Sequence, residues 1–369
     1  MTARPDAADG KGTSGCAVVD ARGETPPPPV EQSLPPVEQV RPGLWSIPVP
    51  WPRSPLRYTL AYLLESRGGV GLIDTGWPTE EGMAALTSGI AQAGYDLADV
   101  RHVLVTHAHA DHLGMAGQVR AVSGARVGMH PAETATLATV GRTTEWRARL
   151  GGWLRSRGAP DGEAAELLDL MAGAAERHAL LARPDVDIED GDLPFGAGTA
   201  IRAVWTPGHT PGHLCFYDAE RNVLLTGDHV LPRITPHIGL PDAAHGDPLG
   251  DFQASLRALT EYDPAEVLPA HEYRFTDLGA RVEVLLRHHR TRLAEIEHVI
   301  ACYPGLSTWA VAERLTWSRG WAATHGPMRH AAVSETWAHL VYLRERGRAV
   351  DYGCGIDRWR PGPRCSAAD

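Results

Sequence analysis

The chain has 369 residues, with 35 Lys and Arg against 45 Asp and Glu and a formal charge of −10 at pH 7, a balance that disfavours indiscriminate binding to nucleic acid. This length accommodates one large domain and a smaller one; no apolar run is long enough to span a bilayer, and the opening residues 1–6 lack the apolar core of a secretory signal. The five cysteines, Cys16, Cys215, Cys302, Cys354 and Cys365, are odd in number, widely spaced and free of a CxxC pair, which disfavours a disulfide framework and fits a cytoplasmic protein.

Residues 1–37 are rich in Gly, Ala, Asp and Pro, including the run 26–29, and show no amphipathic period, so composition predicts a disordered tail. Residues 44–49 and 58–64 read as strands, with Gly68-Gly69 as a hairpin turn before a third strand over 70–73. Thr79 is placed to cap a helix that runs to about residue 93. The apolar run 103–105 leads directly into His107-Ala108-His109-Ala110-Asp111-His112. In an extended segment alternate side chains share a side, so His107 and His109 can grip one ion together. Asp111 and His112 fall where a helix is expected to begin at 113–116, and can project toward a second ion. The segment reads as half of a two-metal site.

Residues 132–183 interrupt the alternation with helix-forming sequence that includes Trp146, Trp153, Leu154, Leu167, Leu168, Leu170 and Met171. They are expected to form a helical cap, either walling a cleft with apolar contacts or simply packing onto the body. Residues 201–205 read as a strand that Pro207 and Gly208 stop, turning His209 outward. The strand over 223–226 runs into Gly227-Asp228, a carboxylate that can bridge two cations, and 266–270 delivers His271 in the same way. Nearby, His213 and His229 suit supporting or surface positions, whereas His237 is expected to offer a hydrogen bond to substrate. An amphipathic stretch over 279–301 then leads to a region that looks separate. It carries a helix at 307–315, a longer one at 327–346 with Pro327 at its start, and a hairpin at 348–359.

Together these residues resemble the metallo-β-lactamase-fold hydrolase superfamily over roughly residues 40–300. The resemblance implies His107, His109 and His209 on one ion, Asp111, His112 and His271 on the other, and Asp228 between them. Ile73-Asp74-Thr75-Gly76 is similar to an early motif of that superfamily, in which the aspartate supports the metal shell. The implied fold is α+β, a four-layer αββα sandwich over 38–301 with its helical cap at 132–183. Residues 302–365, through 331–340 and Arg358-Trp359, resemble the winged-helix-like domain of one branch of the superfamily. That branch holds an endoribonuclease, polyketide-associated thioesterases and bacterial hydrolases of unassigned substrate.

Imidazole and carboxylate donors suit zinc, and the absence of a cysteine among them argues for a catalytic rather than a structural site. Two cations about 3.5 to 4 Å apart lower the pKa of a shared water toward roughly 7. The expected activity is therefore that of a dinuclear zinc hydrolase using a metal-bridging hydroxide, which Asp111 orients and whose proton it relays. Two zinc ions are the expected cofactors, with iron or manganese left open. Residues 206–213 and His271-Glu272-Tyr273 resemble segments of glyoxalase II, which points to a small-molecule ester or thioester; the C-terminal region departs from that enzyme, which disfavours a glutathione thioester and leaves acyl-carrier-linked or other acyl thioesters open. Asp74, His237 and Tyr273 are the residues expected around the metal shell or substrate. Asp228 stands where secreted β-lactamases carry a cysteine, which disfavours antibiotic hydrolysis. The alternatives are a metal-dependent endoribonuclease or phosphodiesterase acting on RNA and, outside hydrolysis, a winged-helix nucleic-acid-binding regulator or an iron-dependent oxidoreductase. No membrane partner is expected, and a homo-oligomer is left open.

Overall fold

The structure, a computed structural model, describes residues 34–66, 69–140, 143–179, 181–196, 200–239 and 246–363. The tail expected over 1–37 lies outside the described residues as far as 33, as do Gly68 of the expected hairpin turn and the cysteines Cys16 and Cys365. The first sheet is seven-stranded, in the order β1 (Glu38–Arg41), β2 (Leu44–Pro50), β3 (Tyr58–Ser66), β4 (Gly69–Ile73), β5 (Val100–Leu104), β6 (Arg126–Met129) and β7 (Val186–Asp187). Its first four strands form an antiparallel meander and its last four run parallel. The second sheet holds β8 (Ile201–Trp205), β9 (Leu214–Asp218), β10 (Val223–Gly227) and β11 (Glu266–Pro269). Because β9 is antiparallel to both β8 and β10, and β11 is parallel to β10, the C-terminal ends of β8, β10 and β11 share one edge.

Side-chain alternation sorts these strands into layers. In β3, Leu60, Tyr62 and Leu64 pack against Ala203, Phe216, Leu225 and Leu268 of the second sheet. The intervening Ala61 and Leu63 face the opposite way, toward α1 (Glu80–Gln92). The period of two therefore puts one face of the sheet on its partner and the other on helices. The second sheet repeats the pattern: Val204, Cys215, Leu224 and Val267 pack under residues of α7 (Pro248–Leu259) and α8 (Leu278–Cys302). The result is the αββα sandwich. At the ligand-bearing edge the sheets are stitched by backbone bonds, Leu60 N to Ala270 O at 2.7 Å and Leu214 N to Thr106 O at 2.9 Å.

Two local expectations are corrected. Residues 106–108 are bent rather than extended, so strand alternation is not what brings His107 and His109 together. Asp111 and His112 lie inside a short helix, α2 (Ala110–Leu113), and the longer α3 (Ala116–Ser123) starts afresh. The reason is Thr75, whose backbone N and Oγ1 both donate to the His112 carbonyl at 2.8 Å. That carbonyl is thereby taken from the next helical turn.

The cap consists of α4 (Pro131–Val140), α5 (Thr143–Ser156) and α6 (Asp161–Ala179). Its Trp146, Leu150, Leu154 and Leu167 are buried against Trp309 and Ala312 of α9 (Thr308–Ala312) and Val333 of α10 (Pro327–Glu345). Leu170, by contrast, is 53% exposed. The apolar residues singled out in the insert thus mostly anchor the cap to the C-terminal helices. Beyond α10, β12 (Ala349–Asp351) and β13 (Trp359–Pro361) form the expected hairpin. Leu340, Leu343 and Trp359 join the same core as α8 and the second sheet, so the apolar interior continues across residue 302.

Candidate metal centre

The site gathers at the shared edge of the two sheets. Asp74 follows β4, His107 to His112 follow β5, His209 sits in the turn between β8 and β9, Asp228 follows β10 and His271 follows β11. Among the described residues, two groups of side chains could hold a metal ion: His107, His109, His209 and Asp228, and then Asp111, His112 and His271, with the ligand atoms of each group within 4.8 Å of one another. All seven expected ligand residues are brought together. Asp228 faces both groups, with Oδ2 at 3.8 Å from His209 Nε2 and Oδ1 at 3.3 Å from His271 Nε2. Asp111 Oδ2 lies 3.2 Å from His271 Nε2 and 3.4 Å from His112 Nε2.

Which ring nitrogen faces the cluster is decided behind it. His112 Nδ1 donates to Asp74 Oδ2 at 2.7 Å, His209 Nδ1 to the His237 carbonyl at 2.7 Å, and His271 Nδ1 to the Tyr58 carbonyl at 3.0 Å. Each bond uses the Nδ1 proton and leaves Nε2 as a lone pair aimed inward. His107 is held at one remove: its Nδ1 lies 3.0 Å from Thr106 Oγ1, which in turn donates to Asp74 Oδ2 at 2.9 Å. One buried aspartate, 1% exposed, thus fixes two rings.

The inward atoms lack ordinary partners. His112 Nε2, His271 Nε2 and Asp228 Oδ1 are buried without a hydrogen bond, while His209 Nε2 lies 3.3 Å from both His107 Nε2 and His109 Nδ1. Converging lone pairs repel one another unless protons or cations lie between them. The donor set of imidazole nitrogens and carboxylate oxygens fits divalent cations of zinc type. Cys215 is not among the donors; its thiol is buried against Thr206 at 3.3 Å, and burial pushes it up to about 12. Burial lowers His112 and His271, but the carboxylates of Asp111 and Asp228 beside both, with Asp74 beside His112, more than offset it and raise both rings. Burial likewise pushes Asp111 and Asp228 up, yet the neighbouring His112 and His271 hold both well below the usual carboxylate range. His107 and His109, in mainly histidine company, are lowered by burial and by the adjacent rings.

The supporting residues divide. Asp74 lies where expected, in a left-handed backbone conformation at φ 59°. The His237 ring is turned to Ser334 Oγ of α10 at 2.9 Å, and its carbonyl rather than its ring reaches the cluster. Tyr273 packs beneath the Arg233 guanidinium, 5.7 Å from its ring centroid. His213 and His229 are both fully buried; His213 Nε2 accepts from the Asp228 backbone N–H at 3.2 Å and so helps position Asp228. Gly208 precedes His209 at φ 139°, and a Cβ there would stand 2.4 Å from the Phe252 Cα, so only glycine lets this turn lie against α7. Sequence reasoning passed over Thr106 and Glu133, and gave Thr206 no role of its own. Thr206 Oγ1 meets His213 Nδ1 at 2.8 Å. Glu133, an acid in the first turn of α4, has the most ordinary position a glutamate can take, and nothing local distinguishes it. Trp51 and Trp77 stack with centroids 4.9 Å apart, Trp51 lying 6.1 Å from His271, and form a half-exposed aromatic wall.

The sequence profile of the metallo-beta-lactamase superfamily matches residues 54–271. A metallo-beta-lactamase family protein of Thermus thermophilus is 31% identical in sequence, with a TM-score of 0.73 over 88% of this chain and 100% of its own. A beta-lactamase domain protein of Burkholderia ambifaria shares the fold, with a TM-score of 0.74 at 24% identity over 94% of this chain and 98% of its own. The probable metallo-hydrolase YqjP of Bacillus subtilis is 25% identical over 79% of this chain and 90% of its own length. The lactamase-like protein adaB of Aspergillus niger is 28% identical over 71% of this chain, and the match spans 65% of that relative's length.

Proposed function

The chain belongs to the metallo-beta-lactamase superfamily, and from that premise we propose that it is a dinuclear zinc hydrolase acting on a small-molecule ester or thioester. The observation that carries this reading is the pair of facing groups, His107, His109, His209 and Asp228 against Asp111, His112 and His271, with their inward lone pairs left over by the hydrogen bonds behind them. The Bacillus subtilis relative, described as a probable metallo-hydrolase, supports it.

When bound, a pair of divalent cations supplies Lewis acidity and brings the pKa of water to about 7. The chain's own residues do the rest. Asp111 Oδ2 lies beside His112 Nε2 at 3.4 Å and His271 Nε2 at 3.2 Å, within one ligand group, so its carboxylate can orient the attacking water and accept its proton. Asp228, with one oxygen toward each group, holds the two halves at a fixed separation. The Trp51 and Trp77 pair beside His271 gives an acyl group an apolar surface. Residues 38–301 form the catalytic body, 132–183 its cap, and 302–365 the winged-helix-like part that completes the cleft, a role supported by the Ser334 contact to His237. Cys215, Cys302 and Cys354 are free thiols, which fits a reducing cytoplasm. No helix among the described residues is long and apolar enough to cross a membrane.

The test is a turnover screen of zinc-loaded protein against acyl thioesters, carboxylic esters, lactones, phosphodiesters and single-stranded RNA, with Asp228→Ala as the blank. Hydrolysis confined to the ester and thioester arms supports the reading, and cleavage confined to the phosphodiester arms overturns it.

A further inference from the structure

We propose that Glu133 is a positioning residue of the metal centre, a buried carboxylate that holds the loops carrying His107, His109 and His209 in register and thereby sets the affinity for one of the two ions. The inference rests on the metal-centre reading given above. Glu133 is 0% exposed. Its Oε2 accepts from the Ala108 N–H at 2.8 Å and its Oε1 from the Gly212 N–H at 2.7 Å.

These two donors are not arbitrary backbone groups. Ala108 lies between His107 and His109, and Gly212 closes the turn that begins at Gly208 and carries His209. The residue after Gly212 is His213, whose Nε2 accepts from the Asp228 N–H at 3.2 Å. Two loops from different sheets, 25 residues before Glu133 and 79 after it, therefore meet on one carboxylate, and the fourth member of their metal group is reached one bond further on. Each oxygen of Glu133 is engaged by a backbone N–H of a ligand-bearing loop, so it acts through the loops and not on the reacting atoms.

The chemistry of the junction selects a carboxylate. Both donors are buried backbone N–H groups, and an ionised carboxylate is the side chain that accepts strongly at two oxygens at once. Glutamine keeps one acceptor and presents an NH2 to the other N–H, aspartate is one methylene short of spanning both loops, and alanine serves neither. The approach is close on the other side as well: a Cβ on Gly212 would lie 2.8 Å from both Glu133 Cγ and His130 Nδ1. Groups behind a metal's ligands commonly change its affinity about 10- to 100-fold when removed.

The competing role is that Glu133 only anchors the cap, since it stands in the first turn of α4. The test uses the full chain carrying Glu133→Gln, Glu133→Ala or Gly212→Ala. Zinc affinity is read by competition with a chromophoric chelator, metal content after dialysis, and the thermal midpoint with and without zinc. The expected result is that Glu133→Gln lowers the metal-free midpoint modestly, binds one ion as the parent does, and binds the other about 10- to 100-fold more weakly, so that its midpoint falls further below the parent's with zinc than without it. Gly212→Ala should shift the same ion in the same direction. The inference is overturned if Glu133→Gln and Glu133→Ala bind both ions with parental affinity, if the midpoint falls equally with and without zinc, or if Glu133→Gln does not fold in the presence of zinc. A parent chain that binds no zinc defeats the metal-centre reading together with this inference, whereas a parent that binds two ions and is matched by Glu133→Gln defeats this inference alone.

Discussion

Asp74 Oδ2 stands 2.7 Å from His112 Nδ1, and the same carboxylate receives Thr106 Oγ1, which touches His107 Nδ1. A residue outside both candidate ligand groups thus sets which nitrogen one imidazole in each group turns inward. Asp74→Asn should keep the backbone, because Asn tolerates the left-handed conformation found at φ 59°, while offering an amide where the His112 N–H donates. Zinc affinity is expected to fall about 10- to 100-fold, measured as metal content after dialysis against a weak chelator. Full occupancy by two ions would contradict the role.

Asp111→Asn removes the negative charge and the proton acceptor but leaves the shape of the side chain. Turnover on the substrate class found in the screen should drop by about 100-fold or more, while circular dichroism stays that of the parent. Parental turnover at unchanged metal content would refute the assignment of Asp111 as the proton acceptor.

Acid should destabilise the fold through histidines that the site does not use. Burial pushes His330 and His339 from 6.5 down to about 4. Below about pH 6.5 the unfolded chain takes up protons that the folded chain refuses, so protons favour unfolding and stability is lost between about pH 6.5 and about pH 4. Urea midpoints taken across that window should decline with acid. His330→Gln should flatten the slope by up to about 1.4 kcal/mol per pH unit; an unaltered slope would show that His330 does not carry the effect.

Asp357 ties the hairpin to the first C-terminal helix and the cap. It accepts from the Thr308 N–H at 2.9 Å and from Thr308 Oγ1 at 2.5 Å, and Arg157 lies 3.4 Å away. Asp357→Ala leaves two buried donors unmet, and should cost about 2 to 4 kcal/mol in chemical denaturation. A loss under about 0.5 kcal/mol would mean that the junction is not held there.

Much of the architecture was legible because its signals are local. Thr79 caps α1 by accepting from the Gly82 N–H at 3.0 Å, and Pro327 opens α10, as the residue types suggested. The short strands β6 and β7 carried no such signal, since four and two residues are too few for a period to show. The break between α2 and α3 was illegible for another reason: it is made by Thr75, 37 residues away. The insert's tryptophans and leucines were equally compatible with a cleft wall and with packing, and only the proximity of Trp309 and Val333 decided for packing.

Residue types and their placement after apolar runs were enough to say which side chains are able to hold metal, because ligand chemistry belongs to the side chain and strand ends are marked by their neighbours. They could not say which nitrogen each ring turns inward. That choice belongs to acceptors remote in the chain, the Tyr58 carbonyl for His271 across 213 residues and the His237 carbonyl for His209 across 28. Nor could they single out Glu133, whose importance arises only where two distant loops fold onto one carboxylate. A proton's position on imidazole is set by the partner it meets, and that partner exists only once the chain has folded.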